Sequence, residues 1–184
     1  MTKPINQKQL LYKAQVKHDP EAFAQLYDIY VKPIYRFVYF KVSDKEEAQD
    51  ITSEVFLKAW DYINSDNKVD NLRGLLYRLA RNLIIDLYRR KSRQPQVSLD
   101  NADQKELISA QDSLAETHKK MQASQMIKDL DKLKSGYKEI LVLRYIDDLK
   151  ISEIAIATQR SQVSVRVTLH RALKKLKAIR EKDL

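Results

Sequence analysis

Between Asp50 and Arg93 the charge along the chain changes sign. Asp50, Glu54 and Asp61 share an acidic, aromatic segment with Phe56 and Trp60. After a polar loop come Arg73, Arg78, Arg81, Arg89, Arg90, Lys91 and Arg93. Carboxylates beside aromatic rings suit a protein surface with a basic patch, whereas rows of guanidinium groups suit an anionic polymer such as nucleic acid. A third set lies further on: Gln162, Ser164, Arg166, Thr168, His170, Arg171, Lys174 and Lys175. Its amides, hydroxyls and guanidiniums are the groups that read base edges and phosphates in a major groove. All three sets point to non-covalent recognition.

There is little here for making or breaking bonds. The chain has no Cys, which removes disulfides, thiolate nucleophiles and Cys-based zinc or iron–sulfur sites. The histidines, at 18, 118 and 170, are too scattered to indicate a metal site. No Gly-rich phosphate loop, HExxH or GxSxG occurs. The expectation is a protein that is not an enzyme and carries no cofactor or metal. Its opening, Met1-Thr-Lys-Pro-Ile-Asn-Gln7, lacks an apolar signal core, and no run approaches the roughly 20 apolar residues that span a bilayer. A cytoplasmic protein without membrane insertion is therefore expected. The net charge of +9 is concentrated in the two ends of the chain, not the middle.

The elements that carry these groups are helices. Two Gly and four Pro in 184 residues leave few breakers, so the fold class is all-α. A stripe of Phe23, Leu26, Tyr27, Tyr30, Ile34, Phe37 and Val38 predicts a helix from about Asp19-Pro20, bent or interrupted at Pro33. Ser43 and Glu46 have the spacing of a capping box for a second helix over about 44–62. Its apolar side is Ala48, Ile51, Val55, Phe56, Ala59 and Trp60. At this spacing Phe56 and Trp60 read first as core, and only their acidic neighbours point to docking. Asn64-Ser-Asp-Asn67 is turn chemistry, and Asp70 or Asn71 can cap the basic helix that follows. That helix should bury Leu72, Leu75, Leu76, Leu79, Leu83 and Leu87, leaving its arginines on the flanks and exposed face.

Residues 92–112 lose the helical period and read as a flexible linker. Two small helical domains follow, 1–91 and 113–184. In the second, Leu114, Met121, Ile127, Leu130 and Leu133 keep helical spacing up to a break at Ser135-Gly136. Helices are then expected over 137–146, 151–158 and 161–182. The last two fit a helix-turn-helix, with Ala155 at the crossing, Ile154, Val165 and Leu169 inward, and Ser161 as the cap. Gln159 stands where such turns usually have Gly.

Four blocks in order resemble the extracytoplasmic-function sigma factors, the small two-domain class of bacterial transcription initiation subunits. The residues Asp19-Pro-Glu-Ala-Phe-Ala-Gln-Leu-Tyr-Asp-Ile-Tyr30 look like that family's opening helix. Glu47 to Trp60 looks like its polymerase-binding helix, and Leu76 to Asp86 like its −10 helix. Tyr137 to Tyr145, with Glu153-Ile-Ala155 and His170-Arg-Ala172, looks like its −35 domain. The resemblance implies an all-α protein of two small domains, the second with a helix-turn-helix, that binds core RNA polymerase through the β′ and β subunits and directs it to promoter DNA. An anti-sigma factor is a further partner of this kind. Asp50, Ser53, Glu54, Phe56 and Lys58 would bind polymerase, with Asp50, Glu54 and Phe56 on the β′ coiled coil. Asn64 and Asn67 would belong to a loop holding a flipped base of the −10 strand, with Arg73, Arg78, Arg81, Asn82, Arg89 and Arg90 along the melted DNA. Ser161, Gln162, Ser164, Arg166, Thr168, His170, Arg171, Lys174 and Lys175 would contact the −35 element. Ser53, Leu75, Lys134 and Thr168 depart from the residues more frequent in the family. The rival reading is a stand-alone helix-turn-helix regulator that binds its promoter without polymerase.

Overall fold

The computed structural model describes residues 6–65, 67–93 and 128–182. Among them every regular element is a helix. The chain divides into two compact units, one of residues 1–98 with 155–159 and the other of 99–154 with 160–184. The linker expected from residue 92 starts no earlier than 94, because helix continues through Ser92 and Arg93; the rest of it, and Leu114, Met121 and Ile127 beyond it, lie outside the described residues.

The first unit holds α1 (Gln7–Val16), α2 (Pro20–Val42), α3 (Lys45–Asn64) and α4 (Leu72–Arg93). Each start is fixed by a short polar side chain. Asn6 Oδ1 accepts from the amides of Lys8 and Gln9, and Asp19 Oδ1 from those of Glu21 and Ala22. Such caps satisfy amides that have no partner inside the first helical turn. Asp19-Pro20 does start a helix, but Pro33 does not interrupt it: α2 is helical on both sides of the ring. A proline removes one helical hydrogen bond, and here the loss is outweighed by packing, since Tyr30, Ile34, Phe37 and Val38 are buried around it.

The capping box is placed one residue off. Ser43 ends α2 in the left-handed conformation (φ 58°), its N–H bonded to the Tyr39 carbonyl. Asp44 caps α3 instead, accepting from the Glu47 amide at 2.8 Å. Two residues therefore serve both ends of a tight corner. On α4, Asn71 is the cap, with Oδ1 accepting from the Gly74 amide at 2.9 Å. The buried side of α4 includes Tyr77, Ala80 and Ile84 besides the leucines, while Leu79 and Leu87 are only half-buried. Tyr77 is fully buried with its ring centroid 5.0 Å from that of Phe37. Between α2 and α3 two aromatic pairs meet: Phe23 with Trp60 at 4.9 Å and Tyr27 with Phe56 at 4.6 Å.

The second unit begins its described part with a helical turn at 128–131. The break falls at 132–134, and α5 (Ser135–Leu141) takes in the expected breaker Gly136. A π-helical stretch, Val142–Ile146, follows without interruption, closing on an Asp147 amide bonded to the Val142 carbonyl. Arg144 Nη1 donates to the Leu149 carbonyl, and the Lys150 amide donates to buried Glu153 at 2.7 Å. These bonds shape the corner into α6 (Ile151–Thr158). A short turn through Gln159 leads to α7 (Gln162–Lys182). Gln159 has φ 55°, so the position usually held by Gly in such turns is left-handed in this chain too. At its far end α7 is tied back to its own unit: Arg180 Nε donates to Asp129 Oδ2 at 3.1 Å, and Asp129 is 1% exposed.

Candidate protein and nucleic-acid interfaces

The rotation of α3 decides what it can present. Asp50, Ser53, Glu54, Leu57 and Asp61 recur at spacings of three, four, seven and eleven from Asp50 and so share one face. Asp50, Ser53, Leu57 and Asp61 are exposed, and Glu54 is half-buried. Lys58 lies at the edge of this face, its Nζ 3.4 Å from Glu54. Phe56 does not belong to it. It is 5% exposed and packed on Tyr27, whereas Leu57 beside it is 65% exposed. Phe56 therefore holds the helix in place, and the apolar centre of the outward face is Leu57. Helical spacing shows that Val55 and Phe56 pack together, but a two-residue apolar pair followed by Leu57 leaves the rotation open by one position. A shallow groove of about 350 Å³, lined by Tyr27, Val31, Lys32, Tyr35, Gln49, Thr52 and Ser53, runs alongside between α2 and α3.

On α4, Arg78, Arg81, Asn82 and Arg89 lie on one side. The Arg78 guanidinium is 5.7 Å from the centre of the Tyr62 ring, a cation–π contact that fixes its stem against α3. Arg89 is 3.5 Å from Asp86 on its own helix. Arg90 is exposed to one side of this row. Arg73 is not brought to it: at about 100° per residue it lies roughly 140° round the helix from Arg78. The end of α4 is fastened to its neighbours, since Lys91 bridges both oxygens of Glu47, at 2.6 and 2.8 Å, and the Tyr88 hydroxyl donates to the Lys41 carbonyl.

The loop before α4 is held by side chains already in use. His18 Nδ1 and Asn64 Oδ1 are 2.9 Å apart, Asn67 Nδ2 donates to the Tyr62 carbonyl at 3.1 Å, and the Val69 amide donates to Gln15 at 2.8 Å. Asn64 and Asn67 thus shape the loop. The neighbouring charges, Lys68 and Asp70, face each other in solvent at 3.4 Å.

On α7 the Ser161 hydroxyl accepts from the Ser164 amide at 3.2 Å, as the sequence predicts. Val165 and Ala172 are fully buried and Leu169 half-buried, which sets the inward side. Arg166, His170, Arg171, Lys174 and Lys175 are exposed, and Arg166 reaches back to Gln162 Oε1 at 3.4 Å. Thr168 differs from the expectation. It is half-buried and its hydroxyl donates to the Ser164 carbonyl at 2.8 Å, so it has no donor left to aim at a base. The outermost positions of the first two turns are Val163 and Val167, which carry no mark in the sequence because exposed and core valines look alike in a string.

Residues 26–94 match the Sigma-70 region 2 model and residues 126–176 match the Sigma-70 region 4 model. An all-α fold carrying these two regions defines an RNA polymerase sigma factor. Over 168 residues the chain is 30% identical to ECF RNA polymerase sigma factor SigW of Bacillus subtilis (strain 168), covering 88% of this chain and 90% of that one. ECF RNA polymerase sigma factor SigX of the same organism is 28% identical over 162 residues, 85% of this chain and 82% of that one. The structure of CnrH in complex with the cytosolic domain of CnrY has the same fold, with a TM-score of 0.68 and 20% identity over 97% of this chain and 100% of the other. The chain belongs to the ECF family of RNA polymerase sigma factors. Among the described residues no helix is long and apolar enough to cross a membrane.

Proposed function

We propose that this sigma factor docks on core RNA polymerase through the outward face of α3 and brings two DNA-reading helices, α4 and α7, to promoter elements. The observation that carries the docking surface is the exposure of Leu57 within a ring of Asp50, Ser53, Glu54 and Lys58. An apolar anchor inside a charged rim is the arrangement that concentrates binding energy at protein interfaces. The acidic rim suits a basic coiled coil of the β′ subunit, with the groove between α2 and α3 beside it; the β subunit would hold the second unit. Arg78, Arg81, Asn82, Arg89 and Arg90 follow the −10 strand, and α7 enters the −35 major groove. The first domain runs to the end of α4 at Arg93, the tether from there to 112, and the second domain is 113–184. The role is one of binding in the cytoplasm and not of catalysis. A protein that covers these faces, as an anti-sigma factor would, keeps the subunit from polymerase.

Run-off transcription with purified core polymerase on a library of promoter fragments tests this reading. Discrete start sites that need the added chain are expected. Tight binding of promoter duplex without polymerase, and no run-off product with it, would return the stand-alone regulator.

A further inference from the structure

Ser161 fixes the start of α7, and fully buried Val165 and Ala172 fix its inward side. At about 100° per residue, the line directly opposite carries Val163, Val167, His170 and Lys174. Val163 is 65% exposed and Val167 43%. Neither serves the core. They form an apolar ridge at the helix's leading end, flanked by Arg166 and Arg171 and followed by Lys174. The positive rim makes an anionic partner the fitting occupant, and that partner must also present something apolar between its charges.

Duplex DNA meets both conditions. In the major groove the thymine C5-methyl is the apolar feature of the base edges, and the first residues of a recognition helix are those that reach them. We infer that Val163 and Val167 read thymine methyls in the upstream promoter element, while Arg166 addresses a guanine edge and Arg171 and Lys174 hold phosphates. The inference rests on α7 being the recognition helix. Valine suits the task because its branched side chain is nearly locked in a helix, so little freedom is lost on contact. The two Cα positions are about 6 Å apart along the axis, which spans one to two base-pair steps of roughly 3.4 Å.

The test uses holoenzyme, assembled from core polymerase and the full chain, on a promoter fragment recovered from a random library. Protection mapping locates the upstream element, and each of its thymines on either strand is replaced by deoxyuridine, which deletes only the methyl. At one or two positions affinity should fall about fourfold, the weight of one buried methyl. Val163→Ala or Val167→Ala should lose a similar factor on thymine DNA and become indifferent to the uridine at the matching position. An element without thymine, deoxyuridine at no cost anywhere, or an undiminished uridine effect in the double alanine variant would overturn the inference. So would a ridge that proves to join two copies of the chain, seen as a dimer that the double variant dissolves while uridine sensitivity is unchanged. No upstream protection at all would instead remove the recognition-helix reading beneath it.

Discussion

The outward faces of α3 and α7 share one plan with the charges reversed. Each presents an apolar centre, Leu57 on α3 and the Val163–Val167 pair on α7, with Leu57 and Val163 equally exposed at 65%. Around Leu57 stand Asp50, Glu54 and Asp61; around the valines stand Arg166, Arg171 and Lys174. Buried apolar area is non-directional and gives contact without choosing a partner. The sign of the rim makes that choice: an acidic rim suits a basic protein surface and a basic rim suits a polyanion. The difference in apolar shape adds a second distinction. A single flexible leucine suits a pocket, whereas two stiff valines one turn apart suit a repeating polymer.

Substitutions at the apolar anchors and their rims should have the largest effects. Leu57→Asp combined with Asp50→Lys and Glu54→Lys should lower affinity for core polymerase at least thirtyfold, the scale of a lost interface hot spot of about 2 kcal/mol. All three side chains are at least partly exposed, so circular dichroism should show an unchanged helix content. Affinity unaltered in a competition binding assay would mean that α3 docks by another face. Next in size, Arg166→Ala should cost holoenzyme about 1–3 kcal/mol on its preferred upstream sequence and flatten preference at about one base pair. A selection experiment returning the same motif with the variant would place the arginine away from the bases.

Lys174→Ala sharpens the contrast between reading and holding. It should weaken all sequences alike and reduce the slope of log affinity against log salt by about one unit. A change in motif with an unchanged slope would reverse the assigned roles. The smallest effect belongs to the turn. Gln159 holds a left-handed backbone that costs a non-glycine residue about 1 kcal/mol, so Gln159→Gly should raise stability by up to that amount in urea unfolding, with promoter preference intact. Destabilisation would show that the Gln159 side chain contributes contacts beyond the turn.

How far these faces can be read from a string of letters depends on the length of the apolar pattern. Helices α2, α3 and α4 each run 20 residues or more, so many turns vote for one inward side. Only Leu10 and Ala14 are buried on α1, too few to mark a stripe, and nothing in the sequence announces it. Adjacent Ser43 and Asp44 are both good caps, and only the left-handed turn at Ser43 assigns each to its helix. The exchange of Phe56 for Leu57 has a related cause: one residue is a rotation of about 100°, and a run of apolar letters does not say which member faces out. On α7 the polar letters draw attention to Thr168, yet its hydroxyl is taken by the backbone. Exposed valines carry no mark in sequence until the buried Val165 between them is seen.

The fastenings at the end of α4 have a mechanical meaning. Lys91 grips Glu47 in the first turn of α3, and Tyr88 grips the Lys41 carbonyl in the last turn of α2. A helix of 22 residues is about 33 Å long, and one pinned near its tip to two neighbours behaves as a braced strut and not as a cantilever. Helix α3, proposed to dock on polymerase, and helix α4, proposed to follow the DNA, then move as one body. On that proposal the angle at which α4 meets the strand would be inherited from the seat of α3 on the enzyme, with no hinge between to absorb error.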